Sequence, residues 1–144
     1  MASLNPSKTI YPFAEMFVVT TNGTTAVDVF EIPKQTAITM VLCEVVTAST
    51  GGAQTVYVGD ASDPNGFIVG GTLCGATVGT VFGDRVSERG AYLNDTTGGT
   101  AIDTHGGQWK LYTTPGKQVE VVLSATSTTA GVVNVYIFGY RGSP

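Results

Sequence analysis

The stretch Thr55 to Val69, T-V-Y-V-G-D-A-S-D-P-N-G-F-I-V, constrains the fold of this chain more than any other. Val56, Tyr57 and Val58 form a β-branched and aromatic run that ends in Gly59-Asp60. The turn-forming cluster Asp63-Pro64-Asn65-Gly66 follows, and a second apolar run restarts at Phe67. Short runs of this kind, bounded by Gly, Pro, Asn and Asp, read as a strand, a connection and a strand. The expected turn places Asp63 against its own backbone and Gly66 at positive φ.

The same grammar runs along the chain. Phe17 to Thr21 reads as a strand, and Asn22-Gly23 as a type I′ hairpin turn leading into Thr25 to Ile32. Thr36 to Thr47 is apolar at both parities, the pattern of a central strand covered on both faces. Later strands fall at Gln108 to Tyr112, Gln118 to Ala125 and Val132 to Arg141, with shorter ones at Thr77 to Phe82 and Ala91 to Leu93. No segment has a helical period beyond a brief turn at Ser87-Glu88-Arg89. The fold class is all-β: an antiparallel β-sandwich, jelly-roll-like, in one domain spanning 13–144. Residues 1–12, broken by Pro6 and Pro12, read as an N-terminal arm, either disordered or laid on a neighbour.

Composition removes several function classes. Only 12% of the 144 residues are charged, the net charge is −4, and the seven cations are scattered. Nucleic acid and anionic membranes both need clustered Lys and Arg, so neither is an expected partner. The opening Met1-Ala2-Ser3-Leu4-Asn5-Pro6 leads into no apolar signal segment, so synthesis in a cytoplasm is expected. Surfaces rich in Thr and Gly and poor in charge do little to prevent association, which favours an oligomer. Cys43 lies in an apolar strand and Cys74 in a Gly-rich stretch, and the sequence leaves their pairing open.

No catalytic constellation emerges. His105 is the only histidine, in a Gly-rich loop with no marked serine partner. Glu44 and Glu120 read as solvent-facing strand residues rather than a paired acid and base. Asp60 and Asp63 are the metal candidates, but Pro64 and Gly71 stand where a calcium loop requires oxygens. No cofactor is expected. Carbohydrate binding is an alternative, through Trp109, although Trp109 and Tyr112 fall on opposite faces of one strand. The irregular span from Gly70 to Gly107 carries Arg85, Arg89 and His105 and reads as an interaction loop.

The block Gly59-Asp60-Ala61-Ser62-Asp63-Pro64-Asn65-Gly66-Phe67-Ile68 resembles a phrase found in small structural proteins of tailed bacteriophages. The Thr/Val/Gly-rich composition, the arm-like start and the final strand Val135-Tyr136-Ile137-Phe138-Gly139-Tyr140 are similar to those of capsid decoration, or cement, proteins. That resemblance implies a non-enzymatic virion protein on the capsid exterior, a homotrimer that bridges major capsid subunits. A carbohydrate- or receptor-binding module of a phage tail or fibre has the same style. The expected contact residues are Ile10, Tyr11, Phe13, Arg85, Arg89, His105 and Trp109.

Overall fold

Apolar alternation resolves into nine strands in the computed structural model, which describes residues 9–94 and 109–142. They are β1 (Ile10–Thr21), β2 (Val27–Ile32), β3 (Thr36–Thr47), β4 (Val56–Asp60) and β5 (Asp63–Ile68). Then come β6 (Val81–Phe82), β7 (Lys110–Tyr112), β8 (Lys117–Leu123) and β9 (Gly131–Gly142). One 3-10 turn, Val86–Glu88, interrupts them. Two antiparallel sheets result, as a β-sandwich requires. One runs β1-β9-β3-β6 with β7 also on β3, and the other runs β2-β8-β4-β5.

Strand alternation sends every second side chain inward. Val133, Val135 and Ile137 of β9 and Val41, Cys43 and Val45 of β3 line the inner face of the five-stranded sheet. Val56 and Val58 of β4 and Val119 and Val121 of β8 line the other, and all ten belong to one buried cluster. Full burial of such a side chain contributes roughly 1.5–3 kcal/mol. Cys43 is part of this core, and burial pushes its thiol up to about 12. Both cysteines are free thiols.

Three expectations are corrected by the pairing. The Asn22-Gly23 turn is not a hairpin, because β1 pairs with β9 and β2 with β8. The turn therefore carries the chain from one sheet to the other. It is tied down by Ser127 N–H donating to the Asn22 carbonyl at 2.9 Å and Leu123 N–H to the Gly23 carbonyl at 3.1 Å. The connection in the Thr55–Val69 block lies at Ala61-Ser62, between Asp60 and Asp63, and not at 63–66. Pro64 consequently sits inside β5.

The first strand likewise starts at Ile10 and contains Pro12, which pairs with Tyr140, where the arm was expected to continue through residue 12. Residues 1–8 lie outside the described residues. The physical reason is shared: β1 and β5 are both edge strands. An edge strand tolerates a residue without an N–H, because half its backbone groups face away from the ladder. The expected short strand at Ala91 to Leu93 is a turn, and Thr77 to Phe82 is strand only at Val81–Phe82.

Ile137 sits at the middle of β9 with its side chain fully buried between the sheets. Ile137→Ala is expected to cost about 2–5 kcal/mol. A urea melt read by circular dichroism checks this; an unchanged midpoint would contradict the packing described.

Candidate functional site

The densest polar cluster is centred on Asp60, buried at the end of β4. Ser62 N–H and Asp63 N–H donate to its Oδ1 at 2.9 and 3.0 Å, closing the β4–β5 turn. The Tyr92 hydroxyl donates to the same oxygen at 3.0 Å, and the Tyr112 hydroxyl donates to Oδ2 at 2.7 Å. Lys110 Nζ lies 4.0 Å from the centre of the Tyr92 ring and 5.8 Å from that of Tyr112. The turn residue is therefore Asp60 rather than Asp63, and Gly66 serves another purpose. A Cβ there would strike the Tyr92 ring, so the glycine makes room for the tyrosine.

The protonation states follow from these contacts. Burial alone would raise the Asp60 carboxyl, but the hydrogen bonds, Tyr112's foremost, hold it below the ordinary aspartate value. Both tyrosines are pushed up, by burial first and then by the Asp60 carboxylate. The cluster is a carboxylate with two neutral phenols. Four donors occupy an anion that offers about four lone-pair sites, so a metal ion would have to displace groups of the chain itself. Among the described residues no group of three or more His, Cys, Asp or Glu is placed to hold a metal. The arrangement ties three segments together: the β4–β5 turn, the segment after the 3-10 turn, and β7.

The two outer faces of the sandwich differ sharply in chemistry. On the four-stranded sheet, Asp28, Glu31 and Glu120 alternate with buried or half-buried apolar positions and point outward. Burial, then Asp28 and Asp60, raise the Glu120 carboxyl. On the five-stranded sheet the outward rows are Met16–Tyr136–Leu42, Ala14–Phe138–Met40 and Val18–Asn134–Glu44. Glu44 is the one charged residue in these rows. Its Oε2 accepts from the Tyr136 hydroxyl at 2.7 Å and from Asn134 Nδ2 at 3.2 Å. Those two hydrogen bonds hold its carboxyl below the ordinary value. Glu44 and Glu120 thus lie on opposite outer faces and do not meet.

At one end of the five-stranded sheet lies an open groove of about 380 Å3. Ile10, Trp109, Leu111 and Tyr140 form its apolar walls, with Gln35 and Arg141 alongside. Two of the sequence-predicted contact residues, Ile10 and Trp109, therefore share a site. The others fall elsewhere. Phe13 stacks on Phe30 at 6.0 Å and helps close the gap between the sheets, with the Arg141 guanidinium 5.8 Å from its ring. Tyr11 is half exposed on the edge strand β1. Arg85 is exposed before the 3-10 turn. Arg89 donates to the Gly83 and Asp84 carbonyls, both at 3.2 Å, so it shapes its own loop. His105 lies outside the described residues.

The described part of the irregular span is packed rather than free. Leu73, Phe82 and Leu93 all belong to the core, and bridges join Cys74 to Ser49 and Arg89 to Ile68. Sequence reasoning missed Tyr92, Tyr112 and Tyr136 as partners of carboxylates. The available signal was a carboxylate within or ending an apolar strand, which needs a donor once buried; which tyrosine supplies it depends on register.

The class defined by this fold is a two-sheet antiparallel β-sandwich with one acidic and one apolar outer face. The same fold is found in a chain of the cyanophage Pam1 capsid asymmetric unit. The TM-score is 0.61 over 98% of this chain and 92% of that one, at 18% identity. A chain of the acidic stable capsid of Helicobacter pylori bacteriophage KHP30 aligns over 96% of this chain and 99% of that one, with a TM-score of 0.46 and 12% identity. No protein-family model matches the chain, and no curated protein does.

The Asp60 cluster makes stability depend on acid. Its folded carboxyl holds a proton less tightly than the unfolded one, for which the reference value is about 3.9. The stability it contributes is fully present above that value and is lost as pH falls through the lower folded value. Thermal melts between about pH 5 and 2 are expected to show a steep acid limb that Asp60→Asn flattens. Tyr112→Phe is expected to cost about 1.5–3 kcal/mol at neutral pH, the range for a hydrogen bond to a charged group. An unchanged melting temperature for Tyr112→Phe would sink the anchor role.

Proposed function

We propose that this chain is a non-enzymatic virion structural protein that decorates a phage head. The observation that carries this reading is the fold shared, over nearly the whole chain, with a component of the Pam1 capsid. The finer parts of the reading are a homotrimer on the capsid exterior, bound to the major capsid protein and bridging its subunits. The strand order supports a jelly-roll connectivity, since β1, β9, β3 and β6 share one sheet and β2, β8, β4 and β5 the other. Polar clusters used up in structure, and an outer sheet face whose described rows hold one tethered charge, suit a protein that works by contact.

Attachment to the head is assigned to residues 1–13, of which Ile10, Tyr11 and Phe13 stand on β1, to the exposed Arg85 and to the stretch that contains His105. Repetition of such contacts around a symmetry axis adds avidity. Co-sedimentation with heads assembled from the major capsid protein of the same genome tests this. Saturable binding, weakened by deletion of residues 2–8, is the expected outcome. Absence of any binding to such heads would overturn the decoration role.

A second reading, a carbohydrate-binding module, is favoured by one observation: Trp109 and Tyr140 share the open groove with polar Gln35 and Arg141. Glycan-array signals lost on Trp109→Ala would favour it over decoration.

A further inference from the structure

We propose that the outer face of the five-stranded sheet is the surface through which copies of this chain associate with one another. The proposal goes beyond the homo-oligomer part of the reading above: a face that meets its own copy makes a two-fold contact, distinct from a three-fold ring and independent of attachment to a capsid.

Pattern and cover do not match in the strands of this sheet. Residues 36–47 are apolar at both parities, as in a strand buried on both faces, and residues 132–140 are apolar or aromatic at both parities except at Asn134 and Gly139. The sandwich covers only one of those faces. Val18 is 66% exposed, Met16 52% and Met40 40%, on adjacent rows of the other.

The face is also extensive. Strands β1, β9 and β3 are each twelve residues long. At about 3.3 Å per residue and about 4.8 Å between strands, the three with the short flanking strands cover roughly 600–750 Å2. A soluble monomer rarely exposes an apolar patch of more than about 300–600 Å2. A stable interface takes about 800 Å2 per partner. That footprint, which includes polar positions such as Asn134 and Glu44, is close to the area a stable interface takes from each partner.

Charge selects the occupant. Copies meeting through the four-stranded sheet would oppose Asp28, Glu31 and Glu120 to their own kind. Like charges brought together are costly. Among the described residues in its paired rows, the five-stranded face carries only Glu44, already engaged by Tyr136 and Asn134. Apolar surface is complementary to any apolar surface, including its own copy, because the hydrophobic effect has no direction. Continuity with the groove adds Ile10 and Leu111 to the same side of the molecule.

The test is the mass of the purified chain by light scattering across a concentration series, for the wild type and for variants on each face. Met16→Lys with Met40→Lys places charges on the proposed surface; Val18→Thr with Met40→Thr keeps strand-forming shape and tests the same rows more gently. Asp28→Lys with Glu31→Lys alters the other face. The expected result is an oligomeric wild type, monomeric Lys variants with unchanged circular dichroism, and an oligomeric control. The Thr variant is expected to raise the dissociation constant about tenfold, the effect of losing about 1.4 kcal/mol. An oligomer that survives the Lys and Thr changes would overturn this surface and leave the oligomer reading standing. A wild type that stays monomeric would overturn both, while the co-sedimentation experiment judges the capsid reading separately.

Discussion

The Asp60 carboxylate is the interaction on which the least regular third of this protein depends. Among the described residues between β5 and β8, five lie in strands, β6 and β7, so ladder hydrogen bonds there are few. Asp60 substitutes for them by gathering donors from the β4–β5 turn, from Tyr92 beyond the 3-10 turn and from Tyr112 in β7. A buried carboxylate without partners is costly, so the segments that supply the partners are held to it. Lys110, stacked over Tyr92, lies on the outer side of the same cluster.

Strand β9 plays the matching role for the regular remainder. It lies between β1 and β3 along its whole length, and its inward residues Val133, Val135 and Ile137 form the middle of the core. Its outward residues, Tyr136, Phe138 and Tyr140, give the five-stranded sheet its apolar exterior. One strand thus builds the interior and sets the character of the surface, because alternation assigns its even and odd positions to opposite sides. The acidic exterior of the four-stranded sheet arises in the same way from Asp28, Glu31 and Glu120. The sandwich thus gives its two exteriors different characters, with Asp28, Glu31 and Glu120 on one and Met16, Val18 and Met40 on the other.

Much of this was legible in the chain. The limits of β3 were readable to the residue, because Thr36 to Thr47 is bounded by Lys34-Gln35 and Ser49-Thr50-Gly51-Gly52. Local pattern failed where pairing decided the outcome. Pro12 and Pro64 looked like breakers, and both lie in strands because those strands are at sheet edges. Asn22-Gly23 looked like a hairpin turn, but hairpin and crossover turns use the same residues. Of the candidate contacts, Ile10 and Trp109 converge on one groove although they are far apart in sequence. Arg89 turned inward to its own loop, since Gly83 and Asp84 offered carbonyls close by.

Sequence alone determined the all-β class, the position of most strands and the poverty of surface charge, because alternation, β-branching and turn residues act over a few neighbours. Tertiary structure alone decided which strands are edges, which carboxylate meets which tyrosine and which apolar face is left uncovered. Those outcomes depend on register between residues as distant as Glu44 and Tyr136, and no local rule carries that information. The uncovered face shows the division most clearly: the pattern of Thr36 to Thr47 called for cover on both sides, and only the folded sandwich shows which side lacks it.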